Sequence, residues 1–157
     1  MKKETLKGFT IFTLMVALAI LTSVVSANAQ SQTRLKANIP FEFVVGNHTM
    51  AAGEYTVKAV TEGGGALAIL GKENGESVVR LTDPIEAMNK RRSARLVFHR
   101  YGQSYFLAQV WTGDSIGRTF AKSRQERAME RELASIPSKS ELAQSTYETI
   151  EVVAVLH

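Results

Sequence analysis

The chain contains no cysteine. Disulfides, thiolate metal sites, a lipid-modified N-terminal cysteine and cysteine nucleophiles are therefore excluded. Histidine is nearly as scarce: His48, His99 and His157 are the only three, and their spacing suggests no metal site. Asp83 and Asp114 are the only aspartates, both beside turns, and no pair of glutamates stands out for glycoside chemistry. No H-E-x-x-H, G-x-S-x-G, S-x-x-K or phosphate-loop pattern occurs. GQSYF at 102–106 is no nucleophile elbow, because it lacks the second glycine and lies in a hairpin. These absences leave no catalytic residues, no metal and no cofactor to assign.

What is present begins with an export signal. Lys2, Lys3 and Lys7 precede the apolar run FTIFTLMVALAILTSVVS, which ends in Ala27-Asn28-Ala29. A basic start, an apolar middle and an A-x-A end is the layout of a secretory signal peptide, so residues 1–29 are expected to be removed. The competing reading is an uncleaved anchor, since the run is nearly long enough to span a bilayer. Cleavage removes three of the 19 basic and one of the 15 acidic residues, leaving 16 against 14. A net charge of +2 makes no electrostatic case for nucleic acid. The expected product, residues 30–157, is one domain without disulfides or a transmembrane span, held by its core alone.

Period-two alternation predicts strands. Leu35, Ala37, Ile39, Phe41, Phe43 and Val45 form one face, with Pro40 marking an edge or bulge. GNHTMAAG reads as a loop, and EYTVKAV, ALAIL and SVVRL as strands. Gly63-Gly64-Gly65 is a turn and Asn74-Gly75 a hairpin. Asp83-Pro84-Ile85-Glu86 suggests one or two helical turns. NKRRS and TGDSIGR read as loops. Ser123-Arg124-Gln125-Glu126 is a capping box opening a helix over residues 123–135. TYETIEVVAVLH supplies a closing strand over residues 147–156. The expected fold is mainly β: a small antiparallel meander barrel or strongly curled sheet with one C-terminal helix, the alternative being a two-sheet sandwich.

RLVFHRYGQSYFLAQVW, residues 95–111, predicts a hairpin with Gly102 first in a type II′ turn. An unbroken ladder places Arg100, Tyr105, Gln109 and Trp111 on one face, a candidate ligand mouth, with Arg100 over Tyr105 as a cation–π pair. His99 falls on the other face, hydrogen-bonded beside the helix. On the helix, Met129, Leu133 and Ile136 form an apolar seam. Arg124, Arg127 and Arg131 lie opposite as a candidate contact for anionic envelope groups, with Lys90, Arg91 and Arg92 elsewhere.

IPFEFVVGNHTMAAGEYTV, RLVFHRYGQSYFLAQVW and KSRQERAMERE together resemble an uncharacterised family of small exported proteins common in acidobacterial genomes. Pro40, Phe41, Phe43, Val45, Gly46, Ala52, Gly53, Tyr55, Val57 and residues 98–102 match its pattern, and Ala51 stands where that family often has proline. The resemblance implies export and a shared fold, and it brings no activity. The functional expectation is a non-enzymatic envelope or periplasmic protein that binds a partner or small ligand. The alternatives are structural or stress-related association with an anionic envelope surface, or an enzyme whose site is assembled from scattered residues.

Overall fold

The computed structural model describes residues 34–73, 75–87, 93–113, 115–135 and 147–157. The expected signal segment, the basic loop with Lys90, Arg91 and Arg92, and Ile136 of the seam lie outside the described residues. The described part forms eleven strands and one α-helix. β1 spans Arg34–Ile39, β2 Phe43–Val45, β3 His48–Met50, β4 Gly53–Ala59, β5 Ala66–Gly71 and β6 Ser77–Glu86. β7 spans Ala94–Tyr101, β8 Ser104–Thr112, β9 Ile116–Phe120, β10 Glu148–Val153 and β11 Val155–Leu156, with α1 at Arg124–Ala134 between β9 and β10. No helix among the described residues is long and apolar enough to cross a membrane.

The strands form one strongly curled sheet in the order β10-β7-β8-β9-β6-β5-β4-β1-β11. Two features make it curl. β6 pairs β5 with its first half and β9 with its second. The C-terminal segment supplies both ends of the order: β10 pairs β7, and β11 pairs β1. Among the described residues no ladder closes a barrel. The two ends are joined by chain continuity through Ala154, whose N–H donates to the Ala94 carbonyl at 2.9 Å, and His157 exchanges two hydrogen bonds with Arg34.

Several sequence expectations need correction. Leu35, Ala37 and Ile39 are buried as the alternation requires, but the strand stops at Pro40. The GNHTMAAG loop contains β3, which pairs β2 from Phe43↔Met50 to Val45↔His48. Asp83–Glu86 is not helical; it continues β6 and pairs β9, with Pro84 opposite Arg118. Proline is tolerated because of its side of the strand. Thr82 donates its N–H to Gly65, and Ala87 donates on the β9 side, to Ser115. By period two, Pro84 shares the Thr82 side, where β5 has ended and no ladder bond is lost. TGDSIGR is not wholly a loop, since β9 begins at Ile116. The closing strand is split in two at Ala154.

The core lies inside the curl. Leu35, Ile39, Phe43, Val45, Met50, Tyr55, Val57, Ile69, Leu96, Phe98 and Val110 are buried there. A smaller cluster of Val44, Tyr101 and Phe106 lies on the other face of the β7–β8 hairpin, covered by Met129 and Leu133 of α1 and by Tyr147. The helix seam therefore packs where its periodicity points it. α1 begins at the Ser123 cap, whose Oγ accepts the Glu126 N–H at 3.0 Å.

Candidate functional site

The β7–β8 hairpin decides where the expected ligand residues go. Gly102 alone of the two turn residues has positive φ, at 62°, as a type II′ turn requires. Pairing follows expectation from Tyr101↔Ser104 to Phe98↔Leu107. Then Val97 faces Gln109, leaving Ala108 as the extra residue of a β-bulge. Beyond the bulge every β8 side chain changes face relative to an unbroken ladder. Arg100 and Tyr105 stay on the inner face, while Gln109 and Trp111 lie on the outer one. The four expected mouth residues are thus divided between two environments.

On the inner face, the Tyr105 ring stacks on Phe41 at 3.9 Å, and Phe41 and Phe43 each meet Phe98 edge-on. Arg100 covers Tyr105 at 5.5 Å, the expected cation–π pair, and reaches Glu148 at 3.3 Å. This end of the interior is filled by aromatic rings. On the outer face, Trp111 donates to the Gln109 side chain at 2.9 Å and lies under the buried Arg95 guanidinium at 4.9 Å. The Nε of Arg95 stands 3.3 Å from Glu151.

The opposite end of the interior is open. A cavity of ≈ 410 Å³ there has the core residues Leu35, Val57, Leu67 and Val110 as its floor. Ala59, Thr112, Ile116, Lys58 and Arg118 complete its wall, with Gly63 and Gly64 at the rim. The glycine turn leans over this mouth. Thr82 Oγ1 donates to the Gly64 carbonyl at 2.6 Å, and the Arg118 guanidinium donates to the Gly63 carbonyl. Gly63 and Gly64 both have φ near +70°, and a Cβ on Gly64 would come within 3.0 Å of Arg118 Nε. Glycine is needed there for conformation and for space. Another groove, of ≈ 570 Å³, runs between Lys36–Pro40 and Ala52–Glu54. It is less suited to a ligand, because its lining is the more polar, with Lys36, Glu54 and Glu73, and Glu54 is already paired with Lys72 at 2.8 Å.

Under the helix sits a buried polar cluster. Glu126, only 4 % exposed, points its carboxylate at His99 Nδ1, 2.9 Å away, and accepts from the Tyr101 hydroxyl at 3.3 Å. Tyr147 lies against the His99 ring at 3.9 Å. Burial, then the charge of Glu126, pushes the Tyr101 phenol above its ordinary value. His99 therefore has the place expected of it beside the helix, and its partner is the capping-box glutamate. The signal for Glu126 was present in the sequence, as an acid on the inward side of an amphipathic helix, but its cap position accounted for it locally. Arg124, Arg127 and Arg131 are exposed on the far side of α1. Arg127 donates to the Lys122 carbonyl just before the helix and Arg131 to the Arg127 carbonyl within it, so two of the three are partly engaged by nearby backbone. Among the described residues no cluster of metal-binding side chains occurs.

Comparison of the chain with protein-family models, with curated proteins and with solved structures gives no match. The functional reading therefore rests on the geometry and on the sequence itself.

Proposed function

We propose that this chain is an exported, non-enzymatic envelope or periplasmic protein that carries a small ligand in the open end of its curled sheet. The observation that carries the reading is the ≈ 410 Å³ cavity, whose floor is made of inward-facing core side chains. Ligand sites are typically concave and largely apolar, with a few polar groups placed at the edge. This cavity has that composition, and it lies at the end left open while Phe41, Phe43, Phe98 and Tyr105 fill the other. The basic, apolar and A-x-A segments of the first 29 residues support export, as does the resemblance to small exported proteins.

The test is native mass spectrometry of the protein purified from its own envelope fraction, combined with N-terminal mapping. The expected result is a chain beginning at Gln30 that retains a small-molecule mass increment. Ala59→Phe, which fills the mouth from a partly buried wall position, should lose that increment. Bare protein in both samples would overturn the ligand reading, and a chain still carrying Lys2 would overturn cleavage.

A further inference from the structure

We infer, building on that reading of the open end, that the ligand is a single-chain amphiphile with a carboxylate head, and that Arg118 is its head-group partner. Strand periodicity places the arginine. Val110 pairs with Arg118, and paired residues share a face, so Arg118 stands on the inner face with the floor residue Val110. Phe120, two residues on, packs against the core from the same face. Ile116, two residues earlier, also faces inward, yet it is 51 % exposed and lines the mouth. The open end therefore presents apolar side chains both within and beside an inward-facing guanidinium.

Among the described residues neither Arg118 nor Lys58, the two charged groups in the wall, meets a carboxylate. Arg118 uses part of its donor set on the Gly63 carbonyl, and a guanidinium has five N–H donors in a planar fork. The unused edge matches a carboxylate bidentately, a strong geometry for this side chain. The bond to the Gly63 carbonyl is exposed, so the guanidinium stands at the solvent rim beside the apolar floor. A carboxylate at that rim pairs with it, and its alkyl chain covers Leu35, Val57, Leu67 and Val110. A cationic amphiphile would meet like charge at the same place, and a neutral alcohol would leave the fork unmatched.

The test is calorimetric titration of the exported protein with octanoate, octanol and octyltrimethylammonium. Octanoate should bind at least tenfold more tightly than octanol, and the ammonium compound should not bind. Arg118→Gln should lower octanoate to the level of octanol, and Arg118→Lys should keep part of the preference. Arg118 also holds the glycine turn, so Thr82→Val provides the control: it frees the Gly64 carbonyl without removing charge, and its preference for octanoate should persist. Equal binding of octanoate and octanol, both blocked by Ala59→Phe, would overturn the ligand class and leave the cavity reading standing. The class would also fall if none of the three bound while a native ligand was retained. Failure of all three together with bare native protein would overturn both.

Discussion

Glu126 and Tyr101 show how one buried group sets the behaviour of another. The Tyr101 hydroxyl donates to Glu126, and its ionised form would be buried beside a carboxylate. Its pKa is therefore raised in the folded chain above the unfolded value of about 10. A raised pKa means that the unfolded state loses the proton first. The stabilisation is complete below about pH 10 and is lost as pH climbs towards the folded value. Urea midpoints measured from pH 8 to 11 should fall at the alkaline end, and less steeply in Tyr101→Phe. Parallel slopes would mean the phenol is not held neutral by the fold. Gly117 makes a second test possible. A Cβ there would lie 2.6 Å from the Trp111 ring, so Gly117→Ala forces either the chain's only tryptophan or β9 to shift. Overpacking of this kind costs about 1–3 kcal/mol. Trp111 fluorescence should shift to the red, and an unchanged spectrum would show that β9 yields instead. The same glycine explains a misreading, because Gly117 beside Gly113 and Asp114 looked like loop chemistry. In a strand it marks close approach of a neighbour, and nothing in the local sequence names that neighbour.

At the scale of elements, α1 and the hairpin it covers were legible because each carries its own period. Ser123 and Glu126 fix the helix start, and Met129 and Leu133 fix its buried side. The Gly102-Gln103 turn was legible for the same local reason, whereas Asn74 of the expected Asn74-Gly75 turn lies outside the described residues. The bulge at Ala108 was not, since alanine at that position carries no turn chemistry and the bulge serves the curvature of the whole sheet. That single residue moved Gln109 and Trp111 away from Arg100 and Tyr105, and with them half of the expected ligand mouth. Pro84 misled in the opposite direction: a proline after aspartate suits a first helical turn, and only the end of β5 makes the strand acceptable. Helix docking is tested by charge on the seam. Leu133→Asp places a carboxylate against Val44, Tyr101 and Phe106 and should cost about 2 kcal/mol or more, since a desolvated charge has no partner there. Arg127→Ala lies on the exposed side and should stay within about 0.5 kcal/mol. Chemical denaturation of both variants decides it, and equal midpoints would mean that α1 contributes nothing to the fold.

The molecule as a whole depends on strands that serve two neighbours. β6 links β5 to β9, and the C-terminal segment links β7 to β1, so the curl is maintained without a closing ladder. The open end was beyond the reach of the sequence for this reason. Leu35, Val57, Leu67, Val110 and Arg118 come from five strands, and only the folded order brings them to one mouth. Leu35 is the point where floor and closure meet, because it pairs Val57 on one side and Leu156 on the other. Removing Val155–His157 should therefore loosen the cavity as well as the fold. The lost apolar burial is small, since Val155 and Leu156 are 61 % and 48 % exposed. What disappears is the β11 ladder and the two bonds between Arg34 and His157, each backbone bond being worth about 1 kcal/mol net. The truncation should cost about 2–4 kcal/mol in denaturant titrations. Leu156→Ala, which keeps the backbone, should cost under about 1 kcal/mol. The truncated chain should also bind more of an apolar fluorescent dye than the full chain does. If truncation costs no more than Leu156→Ala and dye binding is unchanged, the last strand does not hold the curl together, and the open end keeps its shape through β1, β4 and β5 alone.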